Sequence, residues 1–77
     1  MNTALKIAPV FDADALYDVF LKYSASTGIY VTIESLQRLS GLGRYDIIEL
    51  IWQLEDSGAI ICKETHGDGL VIHIWRN

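Results

Sequence analysis

Residues 44–60, RYDIIELIWQLEDSGAI, decide the fold, because a helical pattern gives way there to a β-strand pattern. The apolar side chains in this segment recur at helical spacing and form one stripe, made of Ile47, Leu50, Ile51 and Leu54. Gly58 follows, and glycine readily adopts the positive φ with which many helices end. The pattern predicts a helix from Arg44 to about Ser57 and a strand after it.

Two strand-like runs, residues 59–65 and 70–75, flank the turn signal His66-Gly67-Asp68-Gly69. This arrangement is typical of a β-hairpin. With a three-residue loop at 67–69 and Gly69 in the left-handed conformation, the buried face carries Ile60, Cys62, Leu70, Ile72 and Ile74. The opposite face then carries Ile61, Lys63, Val71, His73 and Trp75, although a one-residue shift in register would exchange the two faces.

A first helix is predicted over residues 11–23. Its apolar side chains fall at helical spacing, at Leu16, Val19, Phe20 and Tyr23. Asp12 or Asp14 can cap its first turn. The preceding residues 1–10 contain the only proline, and we expect them to form an arm or an edge strand.

A short connector strand and a second helix are predicted between these two parts. Residues 29–31 are β-branched or aromatic, which favours a strand. Thr32 can then cap a helix, with a glutamate or glutamine completing the cap. In that helix Ile33, Leu36 and Leu39 share one face, and the Gly41-Leu42-Gly43 segment after it supplies a tight turn.

The length of 77 residues predicts one domain over residues 1–77, with a helical core at 11–58 and a hairpin at 59–76. The single cysteine, Cys62, excludes an internal disulfide and favours a reducing, cytoplasmic setting. No apolar run approaches the roughly 18 residues that a membrane span requires.

The order of helix, short strand, helix, glycine turn, helix and hairpin resembles the winged helix-turn-helix superfamily over roughly residues 11–76. The most specific match is residues 50–60, where a helix runs through a Leu-Glu pair and a glycine into a strand. The resemblance implies an α+β fold, with a three-helix core and a two-stranded C-terminal wing. It also implies that the third helix enters the DNA major groove while the wing touches phosphate. Carried onto this sequence, the base readers would be Arg44, Tyr45, Ile48, Glu49 and Trp52, with Arg38 and the loop 66–69 beside them.

The charge of the chain favours a protein partner over DNA. Ten acidic residues against six basic ones give a net charge of −4, which opposes binding to a phosphate backbone. We therefore expect a non-enzymatic adaptor or inhibitor that acts through protein contacts. The protein that it binds can itself be a nucleic-acid-binding protein. Its contact residues would be Tyr45, Ile48, Glu49 and Trp52, unless Ile48 and Trp52 pack into the core. The alternative is a regulator that binds double-stranded DNA through Arg38, Arg44, Tyr45, Gln53 and Lys63.

Metal binding, catalysis and a cofactor are not expected. Cys62, His66 and His73 are the soft metal ligands, and the first and last could be neighbours across the hairpin. They lack the paired spacing of a zinc site. The glycine pairs at 41–43 and 67–69 lack the Lys-Ser/Thr pair of a phosphate loop.

Self-association is also predicted, because apolar residues are left over on outer faces. A homodimer could cover them. They are Ile7, Val10, Leu21, Ile61, Val71 and Trp75.

Overall fold

The computed structural model describes residues 11–23 and 28–75, which contain three helices and three strands. Within these residues the elements are α1 (Ala13–Lys22), β1 (Ile29–Thr32), α2 (Ile33–Ser40), α3 (Arg44–Asp56), β2 (Ile60–Glu64) and β3 (Gly69–Ile74). The predicted α+β class is confirmed. The predicted arm at 1–10 and residue 76, the last residue of the predicted hairpin, lie outside the described ranges. None of the helices described is both long enough and apolar enough to cross a membrane.

The helix ends follow the predicted caps with one correction. Asp12, rather than Asp14, caps α1, and its carboxylate accepts a hydrogen bond of 3.0 Å from the Ala15 amide. Thr32 caps α2 through the Ser35 amide, but the Ser35 hydroxyl completes the capping box. The predicted glutamate or glutamine at that place is therefore wrong. Gly58 has a φ of 81° just after α3, as predicted.

The three strands form an antiparallel sheet in the order β1-β3-β2. Cys62 lies opposite Ile72 in the hairpin, which confirms the predicted buried face. The predicted loop at 67–69 is wrong by one residue, because the Thr65 amide donates a hydrogen bond of 2.9 Å to the Gly69 carbonyl and the loop is therefore 66–68. The connector strand β1 pairs with β3, so the predicted two-stranded hairpin is part of a three-stranded sheet. In the turn, Gly67 adopts the left-handed conformation, with a φ of 68°, whereas the prediction of Gly69 is wrong.

The core lies between the helices and one face of the sheet. Leu16, Phe20, Ile47 and Ile72 are its largest fully buried side chains. Leu39, on the same predicted face as Ile33 and Leu36, is 58% exposed, and Leu50 of the predicted α3 stripe is only half-buried against the core. Each of these residues lies at the edge of its helix's apolar stripe, where a side chain borders on solvent.

The opposite face of the sheet, here called the outer sheet face, carries Tyr30, Ile61, Lys63, Val71, His73 and Trp75. Tyr30, Ile61 and Trp75 are exposed, as is Leu21 on α1, while Val71 is half-buried. Ile7 and Val10 lie outside the described residues. Self-association through the exposed residues Leu21, Ile61 and Trp75 stays a prediction.

Gly28→Ala should destabilise the fold by about 1–3 kcal/mol because its backbone is held where side chains are strained. Gly28 has a φ of 97°, and an added Cβ would lie 2.8 Å from Cε1 of the His73 ring. Gly43 is the matched control, since its φ is −77° and an added Cβ there makes only ordinary contact. Thermal unfolding compares the two variants, and equal melting temperatures would contradict the strain at Gly28.

Candidate binding groove

A groove of about 320 Å³ lies between α3 and the β2–β3 hairpin. We call it the α3 groove. Its apolar lining comes from α2, α3 and both strands of the hairpin, and consists of Ile33, Ile48, Ile51, Trp52, Cys62 and Leu70. Its charged lining consists of Arg44, Glu55, Glu64 and Asp68. An apolar lining with a few charged groups is the usual composition of a binding site.

Helical spacing explains which side chains of α3 reach the groove. Arg44, Ile48, Ile51 and Glu55 recur every three or four residues, and all four line it. A neighbouring stripe carries Tyr45, Glu49 and Trp52, of which Trp52 also lines the groove.

The predicted partner contacts Tyr45, Ile48, Glu49 and Trp52, here called the α3 surface, therefore divide into two pairs. Ile48 and Trp52 meet at the groove, while Tyr45 and Glu49 lie exposed on the adjacent stripe. Trp52 is 62% exposed and Tyr45 is 82% exposed, and Ile48 is half-buried. Trp52 is not a core residue, in contrast to the alternative that places it under the hairpin.

Asp68 fixes one end of the groove by joining the hairpin loop to two helices. Its carboxylate accepts hydrogen bonds from the Arg44 guanidinium at 2.5 Å and from the Glu34 amide at 3.0 Å. Its carbonyl oxygen accepts a third, of 3.2 Å, from the Ile33 amide. These contacts satisfy the first two amides of α2, which have no partner within their own helix. The hairpin loop is thereby held at the amino end of α2.

The pH dependence of this contact follows from the pKa of Asp68. The Arg44 hydrogen bond, helped by the Glu34 amide, holds that pKa below its ordinary value of 3.8. A carboxyl with a lowered folded-state pKa stabilises the fold at neutral pH, and this contribution is lost as the pH falls below 3.8 and through the lowered value. We expect the Glu34 amide to lose protection against hydrogen exchange, measured relative to its intrinsic rate at each pH, in that acid range.

Hydrogen exchange of the Glu34 amide across an acid titration measures this effect. The control is Asp68→Asn, which keeps an acceptor oxygen but cannot ionise. The variant should lack the acid-dependent step. A step of equal size in both proteins would show that another group is responsible.

Cys62 lines the groove together with two carboxylates on different elements. Burial raises the pKa of the Cys62 thiol to about 11, and the negative charges of Glu55 on α3 and Glu64 on β2 add to the shift. The same two carboxylates line the groove. Cys62 is thus a neutral thiol at physiological pH and reports a negative potential in the groove.

Alkylation of Cys62 by iodoacetamide should be at least about tenfold slower in the folded protein than in the urea-unfolded chain at the same pH. The Glu55→Gln/Glu64→Gln variant should react faster than the parent, because removing the carboxylates lowers the pKa of the thiol. The Asp18→Asn/Asp56→Asn variant carries the same change in charge outside the groove, and its rate should match the parent's. Equal rates in folded and unfolded protein would contradict the raised pKa.

Two residues of the DNA alternative, Gln53 and Lys63, lie on surfaces away from Arg44. Arg38 pairs with Glu34 at 2.9 Å, and Arg44 pairs with Asp68. Lys63 lies on the outer sheet face, because it alternates with Cys62 and Glu64, which line the groove. Gln53 is exposed but is half a turn around α3 from Arg44, since nine residues separate them.

Sequence reasoning missed Glu55 and Glu64 as site residues, and it included Asp68 only within the loop 66–69 beside the base readers. Glu55 could have been found from its place on the helical stripe of Ile48 and Ile51, and Glu64 from the two-residue repeat of its strand, which puts it on the same face as Cys62. No local signal marks Asp68, because its helix partners lie 24 and 34 residues away in the chain.

The predicted neighbours Cys62 and His73 lie on opposite faces of the sheet, since Cys62 is opposite Ile72 and His73 is opposite Ile61. Over residues 11–23 and 28–75, no three His, Cys, Asp or Glu side chains cluster as metal ligands. Comparison of the chain with family models, with curated proteins and with solved structures gives no significant match.

Proposed function

We propose that the chain is a winged-helix domain that acts as a non-enzymatic adaptor or inhibitor by binding a protein partner through the α3 surface. The order of its elements and the pairing of β1 with the hairpin support the winged-helix assignment. In this reading α3 is the recognition helix and the β2–β3 hairpin is the wing.

The exposure of two aromatic side chains on α3 carries the proposal. Tyr45 and Trp52 are 82% and 62% exposed, and Trp52 lines an apolar groove together with the half-buried Ile48. Exposed aromatic side chains beside an apolar depression are typical of the residues that dominate protein interfaces. A partner that covers Trp52 removes its indole ring from water without any change in the core.

Double-stranded DNA fits this surface less well than a protein does. The arginines that would contact phosphate or guanine each pair with a carboxylate, and Glu49 adds negative charge to the exposed stripe. A DNA ligand would have to displace these pairs and approach a chain of net charge −4.

Selection from a library of short random peptides, displayed on phage and captured on the immobilised protein, tests the proposal. Peptides enriched on the parent should bind the Tyr45→Ala/Trp52→Ala variant at least about tenfold more weakly, because hot-spot aromatics dominate such contacts. The matched control is Tyr23→Ala/Tyr30→Ala, since both tyrosines are exposed and lie outside the groove. Equal binding to the parent and the Tyr45→Ala/Trp52→Ala variant would overturn the proposal.

Fluorescence anisotropy with labelled duplex DNA at low salt provides the second arm. The proposal expects no binding at micromolar protein. Saturable DNA binding that weakens steeply with salt and is lost in Arg44→Ala would favour the DNA-binding regulator instead.

A further inference from the structure

We propose that the α3 groove takes a partner segment in which an arginine or lysine adjoins an apolar side chain, with the cationic group held between Glu55 and Glu64. This inference rests on the proposed function, because it names the chemistry of the partner that the same surface receives.

The apolar part of the groove sets the size of what enters. Its volume of about 320 Å³ is at the low end for ligand sites, which start at about 300 Å³. Ile48 and Ile51 of α3 face Leu70 of β3 across it, and Trp52 stands exposed at its rim. The space suits one or two side chains of a peptide, including the aliphatic stem of a lysine or arginine.

The charged part of the groove selects the sign of the ligand. Arg44 is engaged by Asp68, so the other two carboxylates of the lining keep their charge uncompensated within the groove. No ion pair involves Glu55 or Glu64 among the residues described. Both carboxylates line the groove with Cys62 and help to raise the pKa of its thiol, so their negative charge acts within the groove. A guanidinium or ammonium group there would be attracted by two carboxylates at once.

Two other ligand classes are disfavoured by the same lining. Phosphate groups would be repelled by Glu55 and Glu64. A metal ion would lack a set of ligands there, because no three His, Cys, Asp or Glu side chains cluster as metal ligands in the part of the chain that the structure describes. A basic peptide segment satisfies both the charge and the apolar contacts.

The random peptide library described above provides the probe for this inference. Peptides selected on the parent should be enriched in arginine or lysine next to an apolar residue. Their affinity should fall about tenfold or more for Glu55→Gln/Glu64→Gln, and it should fall with added salt. Asp18→Asn/Asp56→Asn, which changes the net charge equally at exposed sites outside the groove, should keep parental affinity. Amide spectra of each variant establish that it is folded.

The outcomes separate this inference from the proposed function. Selected peptides that depend on Trp52 but lack basic residues, or that bind Glu55→Gln/Glu64→Gln as well as the parent, would overturn the groove assignment alone. Selected peptides whose affinity depends neither on Trp52 nor on the two carboxylates would overturn the groove assignment and the proposed function together. An equal loss of affinity in Asp18→Asn/Asp56→Asn would also overturn the groove assignment, because it would show a general charge effect.

Discussion

Replacing Phe20 by alanine should lower the free energy of unfolding by about 3–5 kcal/mol. Phe20 is fully buried in the core beneath the sheet, and α1 contacts both α3 and β3. The truncation therefore removes apolar contacts and leaves a cavity that neighbouring side chains fill only in part. Because small domains are stable by about 5–15 kcal/mol, the variant should be close to unfolding at room temperature.

Urea unfolding followed by circular dichroism measures the loss at Phe20. Leu21→Ala is the matched control on the same helix, because Leu21 is 41% exposed and should cost only about 1 kcal/mol or less. If Phe20→Ala unfolded at the same urea concentration as Leu21→Ala, α1 would not pack as described.

Replacing Trp52 by alanine should have the opposite pattern, with a large effect on binding and a small one on folding. Loss of a hot-spot aromatic weakens binding by about 2 kcal/mol or more, which is about 30-fold in Kd. The free energy of unfolding should change by less than about 1 kcal/mol, because Trp52 is 62% exposed and alanine is the better helix former.

Binding of a selected peptide and thermal unfolding, measured on the same preparation of Trp52→Ala, separate the two effects. Ile47→Ala is the comparison within α3, since Ile47 is fully buried and should lose about 2–5 kcal/mol of stability. A fall in melting temperature of similar size for both variants would show that Trp52 is a core residue and would contradict its role in binding.

The sequence predicted those parts of the fold that local patterns specify. The apolar stripe of α3 ends at a glycine with positive φ, and the alternation in the hairpin puts Ile60 and Ile72 in the core. These features depend on helical spacing and on the two-residue repeat of a strand, which are visible in the chain itself. The pairing of β1 with β3 was not predicted, because only tertiary structure brings these strands together.

Because contacts between distant residues are not visible in the sequence, Gly69 was misassigned and the partner of Arg44 was not predicted. Gly69 looks like a turn glycine in sequence, but an added Cβ there would collide with Tyr30 and Thr65 side chains, so close packing rather than a positive φ disfavours a side chain. The ion pair of Arg44 with Asp68, 24 residues away in the chain, was likewise not visible in the sequence, and Arg44 as a DNA contact stays an alternative prediction. Contacts between distant residues therefore decide the chemistry of the groove.

The emission of Trp52 during a peptide titration is the most direct test of partner binding through the α3 surface. Trp75→Phe leaves Trp52 as the single tryptophan of the chain. The free protein should emit at the long wavelength of a solvent-exposed indole, and a selected peptide should shift that emission to shorter wavelength as it covers the ring. Short-wavelength emission in the free protein, or peptide binding that leaves the emission unchanged, would contradict binding at Trp52.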